Sequence, residues 1–177
     1  MIHETAQIHE SAYVAGVWNQ RIHSGDDTSA QLEPGECEIG ARTKVWHGAQ
    51  IRSGAIIGED CVIGKDVYID AGVIIGDRSK IQNGVSIYRG VILHDEVFVG
   101  PGAVFTNDKH PRAVGAWEIT PTVLHEGCSI GAGAVIMCGV AIGKRAMVGA
   151  GAVVTHDVED DTTVVGNPAY VIDLRDF

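Results

Sequence analysis

Several side chains of this 177-residue chain could do chemistry, and their types narrow what that chemistry is. Eight histidines are spread along it, and an imidazole titrating near neutrality is a ready general base. His47, beside Trp46, is the first candidate; packing or a subunit contact would explain it equally well. Asn83 carries an amide oxygen that can accept an N–H from a ligand or cap a bend of the backbone. Arg112 offers a planar guanidinium fork suited to a diphosphate or a carboxylate, and a surface ion pair is its plain alternative. The four cysteines, Cys37, Cys61, Cys128 and Cys138, have no C-x-x-C spacing and sit among apolar neighbours. They read as reduced, buried thiols rather than disulfides or metal ligands.

What positions these groups is a repeat of six. From Ile39, steps of six land on Val45, Ile51, Ile57, Ile63, Ile69, Ile75, Ile81, Ile87, Leu93, Val99 and Phe105. After a break the step resumes at Leu124 with Ile130, Ile136, Ile142, Val148 and Val154. At 45% apolar residues, such a run has a chance probability of about 10⁻⁶. Four residues after each comes a small or β-branched residue, from Thr43, Ala49 and Ala55 through to Ala152 and Val158, except Lys109, where the register fails.

Six residues in a helix turn through about 600°, so the large side chains would encircle the axis. Six is a multiple of the strand period, so very short strands keep them all on one side. Glycine directly after many of them (Gly40, Gly58, Gly64, Gly76) reads as the bend between strands. The pattern predicts an all-β, single-domain parallel β-helix with the large residues inside and the small ones at tight inner corners. Ile2, Ile8 and Val14 keep the step and form a first coil. Two stretches, about 15–38 and 106–123, leave the register and are expected to protrude as loops. The second carries Asn107, Lys109, His110, Arg112 and Trp117, and a loop leaving a rigid scaffold is where a substrate site is built.

Composition excludes other classes. Lysine and arginine total 13 against 23 acidic residues, a net charge of −10, which is wrong for a nucleic-acid binder. No apolar run approaches the roughly 20 residues of a membrane span. The opening MIHETAQIHESA has neither the basic nor the apolar region of a signal peptide, so a cytoplasmic location is expected.

The motif I-G-x-x-[small]-x resembles the left-handed β-helix acyltransferases of the hexapeptide-repeat superfamily, and the hand comes from that resemblance. There, three hexapeptides make one triangular coil of about 18 residues, stacked at about 4.8 Å. That coil puts His47 and Asn83 on one face two coils apart, Arg89 and Asn107 on adjacent coils, and His125 one coil above His94. The segments VWHGAQI, KIQNGVSIYRGV, VFVGPGAVFTNDKHPR and VGAGAVVTHDVEDDTTVVGNPA narrow the resemblance over residues 37–172. They are similar to N-acetyltransferases of nucleotide-linked 3-amino sugars. These act on UDP-2-acetamido-3-amino-2,3-dideoxyglucuronate or dTDP-3-amino-3,6-dideoxyhexose in surface-polysaccharide synthesis.

The resemblance implies acetyl-CoA as cosubstrate, no metal, and a homotrimer with sites between subunits. It places Asn83 on the sugar amine, with His47 as the alternative base. Tyr88, Arg89, Asn107 and Arg112 fall to the sugar and nucleotide. For acetyl-CoA it implies backbone around Gly131, Ala132 and Ala134, around Gly149 and Ala150, and the ending at Asn167 and Pro168. The subgroup's lysine at position 156 is a histidine here, so Lys144 and Arg145 are the expected substitutes for holding phosphates. Acyl transfer from a thioester to a neutral amine needs alignment and an oxyanion donor more than a strong base. Three alternatives remain: an O-acetyltransferase with a histidine base, a non-catalytic solenoid, and a γ-class carbonic anhydrase. The last lacks its close histidine pair, since Arg42 and Arg52 flank His47 at five residues.

Overall fold

The computed structural model describes residues 1–14, 36–115 and 118–173. They form 22 strands of two or three residues each. Over the first twenty strands every third joins the same sheet, and the last two add to the first, giving sheets of nine, seven and six strands. Neighbouring strands pair in parallel, and the final pair, Thr163–Val165 with Tyr170–Ile172, closes the nine-stranded sheet antiparallel. The chain therefore winds as a three-sided parallel β-helix, as the six-residue period predicts.

The period is a burial rule. In each two-residue strand the first side chain points outward and the second fills the interior, as in Gln50–Ile51 and Lys80–Ile81. The small residues between strands, among them Ala49, Ala55, Val67 and Val73, are completely buried at the inner corners. Polar residues at those corners are satisfied. The Thr43 hydroxyl donates to Gly58 O at 2.7 Å and accepts from Cys61 N–H at 3.0 Å. All four cysteines are free and buried.

The glycines that directly follow the large residues do not make the bend. The left-handed backbone lies two residues further on, at Gly54, Gly72 and Gly102, and also at Arg42, Asp60, Arg78 and Arg145. Gly58 and Gly100 answer a different need. A Cβ on Gly100 would lie 2.6 Å from the backbone nitrogen of Ala132 in the next coil, and one on Gly58 would lie 2.8 Å from that of Asp77.

Regular coils stack at an offset of 18 residues, as in the Lys65–Asn83 contact. Across the long loops the offset is 37 (Ile8 to Val45) and 31 (Leu93 to Leu124), so the loops insert 19 and 13 residues. Both leave after strands of the seven-stranded sheet, Tyr13–Val14 and Val104–Phe105, and so from the same edge of the prism.

The boundaries differ from expectation at three places. Most of the first loop lies outside the described residues, but Cys37 is buried and Glu38 belongs to strand Glu38–Ile39, so the expected end at 38 is too late. The second loop ends at Pro121, because Thr122 is buried in strand Thr122–Leu124 as the partner of Val91. Val158, expected at a small corner, pairs instead with Ile142 across an offset of 16 residues, since the last coil is two residues short.

The three edges have different characters. The first edge follows the nine-stranded sheet, the second follows the seven-stranded sheet and carries the loops, and the third follows the six-stranded sheet. The third is a charge ladder: Arg42 chelates Asp60, Arg78 pairs with Glu96 at 2.9 Å, and Arg145 chelates Asp161. Asp60 and Asp161 are held below the usual carboxylate range by those guanidinium hydrogen bonds. Rings stack there too: His94 and His125 lie 5.2 Å apart between centroids, tilted by 14°.

Two outcomes follow. Gly100→Val should cost about 3 kcal/mol through overpacking, read by thermal unfolding, whereas Gly102→Asn, at a φ of 68° with nothing within 4 Å of its Cβ, should be nearly neutral. Burial pushes the Cys61 thiol up to about 11 and that of Cys128 up to about 12. Because the folded values are raised, the associated stability is present below the unfolded value and is lost as pH rises from about 9 toward 12. Unfolding midpoints should fall across that alkaline window, and the fall should be shallower in Cys128→Ala.

Candidate active site

A groove of about 280 Å³ lies on the first edge, lined by Trp46, His47, Gly64, Lys65, Gln82 and Asn83. It exists because Gly64, with no side chain, sits one coil above Trp46 and one below Gln82. His47 and Asn83 share its walls, on one face with the Gly64–Lys65 corner between them, as the 18-residue coil predicts. The His9 ring lies 5.4 Å from that of His47 at a tilt of 60°, and the Nδ1 of His9 is tied to the Ser11 hydroxyl at 2.9 Å.

Asn83 has a structural bond that its type alone did not reveal. Its Oδ1 accepts the backbone N–H of Lys65 at 2.9 Å. Asp77 and Asp95 do the same for the N–H groups of Glu59 and Asp77 on the third edge. Asn83 thus stands in an inter-coil capping role that is otherwise filled by aspartate. Its Nδ2 protons and the second lone pair of Oδ1 are what it can offer a ligand.

Further along the first edge the side chains shrink to Gly100–Pro101, Gly131–Ala132 and Gly149–Ala150. A Cβ on Gly131 would strike the backbone of Ala150, so these coils stack with their corners bare. Gly131, Ala132, Gly149 and Ala150 therefore form a smooth strip on the same edge as the groove. Ala134 does not belong to it. It is fully buried, its N–H is given to Gly131 O at 3.3 Å, and its carbonyl accepts Val104 N–H at 2.9 Å.

The other expected residues fall elsewhere. Tyr88, Arg89 and Asn107 lie on the second edge, Tyr88 and Arg89 one coil below Asn107. The Asn107 carbonyl accepts Thr120 N–H at 3.3 Å, closing the base of the loop. Arg112 is exposed on that loop, and its Nη1 donates to the carbonyl of Pro111. Lys144 and Arg145 lie on the third edge. There Arg145 pairs with Asp161, and Lys144 sits 3.9 Å from Glu126, both within the ion-pair ladder. Asn167 and Pro168 lie in the turn before strand Tyr170–Ile172.

A second cavity, about 390 Å³, was not foreseen. It lies on the second edge between the loop and the last coils, lined by Lys109, Cys138, Gly139, Thr155, His156 and Asp157 among others. The loop stems anchor it: the Thr106 and Thr122 hydroxyls accept the N–H groups of Cys138 and Gly139, at 2.9 and 3.1 Å. The bond to Gly139 replaces the carbonyl that a regular coil supplies there, as Lys65 O does for Gly84 N–H. Register alone could not find this cavity, because Lys109 stands where the repeat fails.

These features meet in one class of protein, a hexapeptide solenoid decorated at its edges. The chain matches the family described as bacterial transferase hexapeptide (six repeats) over residues 36–71, 72–107 and 121–156, and the hexapeptide repeat of succinyl-transferase over 54–89. It belongs to the bacterial hexapeptide transferase family, and its fold is that family's left-handed parallel β-helix. A 2,3,4,5-tetrahydropyridine-2,6-dicarboxylate N-acetyltransferase of Staphylococcus aureus is 45% identical over 76 residues, which is 43% of this chain and 30% of that protein. The chain thus matches less than a third of the length of that relative. A hexapeptide-repeat acetyltransferase from Vibrio cholerae, solved with acetyl-CoA, is 29% identical at a TM-score of 0.63, covering 68% of this chain and 70% of that one. A GDP-perosamine N-acetyltransferase from Caulobacter crescentus, solved with CoA and GDP-perosamine, superposes at a TM-score of 0.54 with 21% identity. It covers 97% of this chain and 55% of that one, a likeness of fold.

The capping bond separates two roles for Asn83. Asn83→Asp should keep the unfolding midpoint of the parent, since aspartate caps the equivalent corners. Asn83→Ala should lose up to about 1 kcal/mol, the worth of one exposed hydrogen bond. Thermal melts of the two variants make the check.

Proposed function

We propose that this protein is an acetyl-CoA-dependent N-acetyltransferase whose acceptor is the amino group of a nucleotide-linked sugar. The observation that carries the reading is the first edge, where a groove flanked by Asn83 and His47 runs into the bare Gly131–Ala132 and Gly149–Ala150 strip. The segments KIQNGVSIYRGV and VFTNDKHPR, and relatives that are named N-acetyltransferases, support the same class.

In this reaction the neutral amine adds to the thioester carbonyl carbon, the C–S bond breaks, and the thiolate leaves, taking up the proton that the amine gives away. A neutral amine needs little help as a nucleophile, so positioning is the main demand on the protein. The remaining lone pair of Asn83 Oδ1 accepts one amine N–H and leaves the nitrogen lone pair free for attack. The bare strip lets the donor's extended arm run close against backbone, where glycine and alanine permit the approach. A cytoplasmic setting and a place in surface-polysaccharide sugar synthesis accompany this reading.

The functional site is composite. Asn83 and His47 lie on the first edge, and Tyr88, Arg89, Asn107 and Arg112 on the second, with the seven-stranded sheet between them. One acceptor meets both sets when the first edge of one subunit faces the second edge of its neighbour, as a cyclic trimer arranges three times over.

Mass-spectrometric assay with acetyl-CoA and a panel of UDP- and dTDP-linked 3-amino and 4-amino sugars is the direct test. Acetylation of a 3-amino sugar is expected, with about a hundredfold lower kcat in Asn83→Ala and a smaller loss in Asn83→Asp, whose carboxylate keeps the acceptor. Full turnover by Asn83→Ala would remove the side chain from the mechanism. Mixing subunits of Asn83→Ala and Arg112→Ala should restore activity to some sites of the mixed oligomer, and no restoration would put each site within one subunit.

A second reading is favoured by His47 lining the same groove: an O-acetyltransferase that uses the imidazole to deprotonate a sugar hydroxyl. Near-wild-type turnover by His47→Ala on an amine acceptor excludes it.

A further inference from the structure

The second edge carries a feature that neither the solenoid nor the groove requires. Counting by 18 along it gives Arg52, Asp70, Tyr88 and Thr106, a column that accepts any side chain. Only 6% of the chain is aromatic, yet Tyr88 stands here 38% exposed. Its ring lies 5.7 Å from that of Tyr68, at 54°. Tyr68 comes from the outer face of the seven-stranded sheet, in strand Tyr68–Ile69.

The pair is held in place. The Tyr68 hydroxyl donates to Asp70 Oδ1 at 3.1 Å. The same oxygen accepts Ala71 N–H at 2.8 Å, and Oδ2 accepts Arg89 N–H at 3.3 Å. Asp70 therefore fixes one ring directly and the backbone beside the other. Two cations flank the rings. Arg89 follows Tyr88 in the chain, and Arg52, one coil below Asp70, is near enough for its charge to act on the Tyr68 hydroxyl. Among the described residues neither guanidinium has a carboxylate partner within 4.0 Å, unlike Arg42, Arg78 and Arg145 on the third edge. The carboxylate nearest to hand, Asp70, is occupied by three hydrogen bonds.

Two fixed aromatic rings, with Arg52 within charge range of one and Arg89 next to the other in the chain, offer a stacking face and anion donors together. An aromatic base joined to phosphates answers both demands: the base stacks on a ring and the phosphates take the planar forks. We propose that Tyr68 and Tyr88, flanked by Arg52 and Arg89, are the platform that binds the nucleoside diphosphate portion of the acceptor. This rests on the nucleotide-sugar reading above and adds Tyr68 and Arg52 to its site. Asp70 is a positioning residue that works through Tyr68 and the Arg89 backbone.

The test uses the full chain and two measurements. UDP and dTDP alone are titrated calorimetrically against the parent protein, Tyr68→Leu, Tyr68→Phe, Tyr88→Leu and Arg52→Gln, and initial rates are measured on the nucleotide-linked amino sugar that the panel identifies. Losing a stacked ring should weaken nucleotide binding and raise KM for the sugar roughly tenfold, with kcat within about twofold and KM for acetyl-CoA unchanged. Tyr68→Phe keeps the ring but loses its tie to Asp70, so its binding should fall between that of the parent and that of Tyr68→Leu. Arg52→Gln should bind both nucleotides several-fold more weakly.

Parent protein that binds neither nucleotide overturns the platform, as does binding that is unchanged in both leucine variants. Leucine variants that dissociate the oligomer by light scattering also overturn it, since these rings would then be a subunit contact. The two ideas fail separately. Nucleotide binding lost in Tyr68→Leu, without acetylation of any panel sugar, supports the platform and sinks the transfer reading. Acetylation with an unchanged KM in Tyr68→Leu does the reverse.

Discussion

Everything in this molecule depends on coils lying directly on one another. Parallel strands about 4.8 Å apart put each residue above its counterpart in the coil below. Any side chain at an edge is therefore read in a column. The interior tolerates only large apolar residues on the faces and small ones at the corners, and so the repeat survives in sequence. Where backbones come closest, a Cβ has no room, which accounts for Gly58, Gly100 and Gly131. Stacking also sets the electrostatics. One column of the third edge alternates in sign, placing Arg42 against Asp60, Arg78 against Glu96 and Arg145 against Asp161, beside a column in which Glu59, Asp77 and Asp95 stack.

That constraint explains what could be read from the chain. A helix would scatter Ile51, Ile57 and Ile63 around its axis, so their spacing alone excludes it. The count of 18 placed His47 and Asn83 on one wall, and it carried His125 onto His94 across a 13-residue insertion. The stacked rings show that the loop interrupts a single coil without shifting its phase. Glycine was legible as punctuation but not in its purpose, because close approach and positive φ favour the same residue from different positions in the turn.

Less legible was what each side chain is already doing. Arg145 resembles an anion ligand in sequence, but its partner Asp161 lies in a coil that is two residues short, where a uniform count misses it. Asn83 is both a candidate for chemistry and a cap for Lys65, and nothing in its neighbours distinguishes the two. Tyr68 occupies an outward strand position that the repeat leaves free, so periodicity carries no information about it. The cavity beside Lys109 lies where the register has failed altogether.

The distribution of polar groups over three edges also bears on how such a scaffold acquires function. The core consumes nearly all the sequence information of the inner positions, so variation is confined to edges and loops. One edge is closed by ion pairs. Another is stripped of side chains beside Asn83 and His47. The last carries both insertions, the unpaired arginines and the paired tyrosines. A convex prism cannot fold its own edges together around a ligand, as a barrel mouth or a cleft between domains can. Under the proposed function, the two open edges become one concave site when a second copy supplies the opposite wall. On this view association is part of the site's architecture, and substitutions that leave every coil intact can still abolish activity by separating the walls.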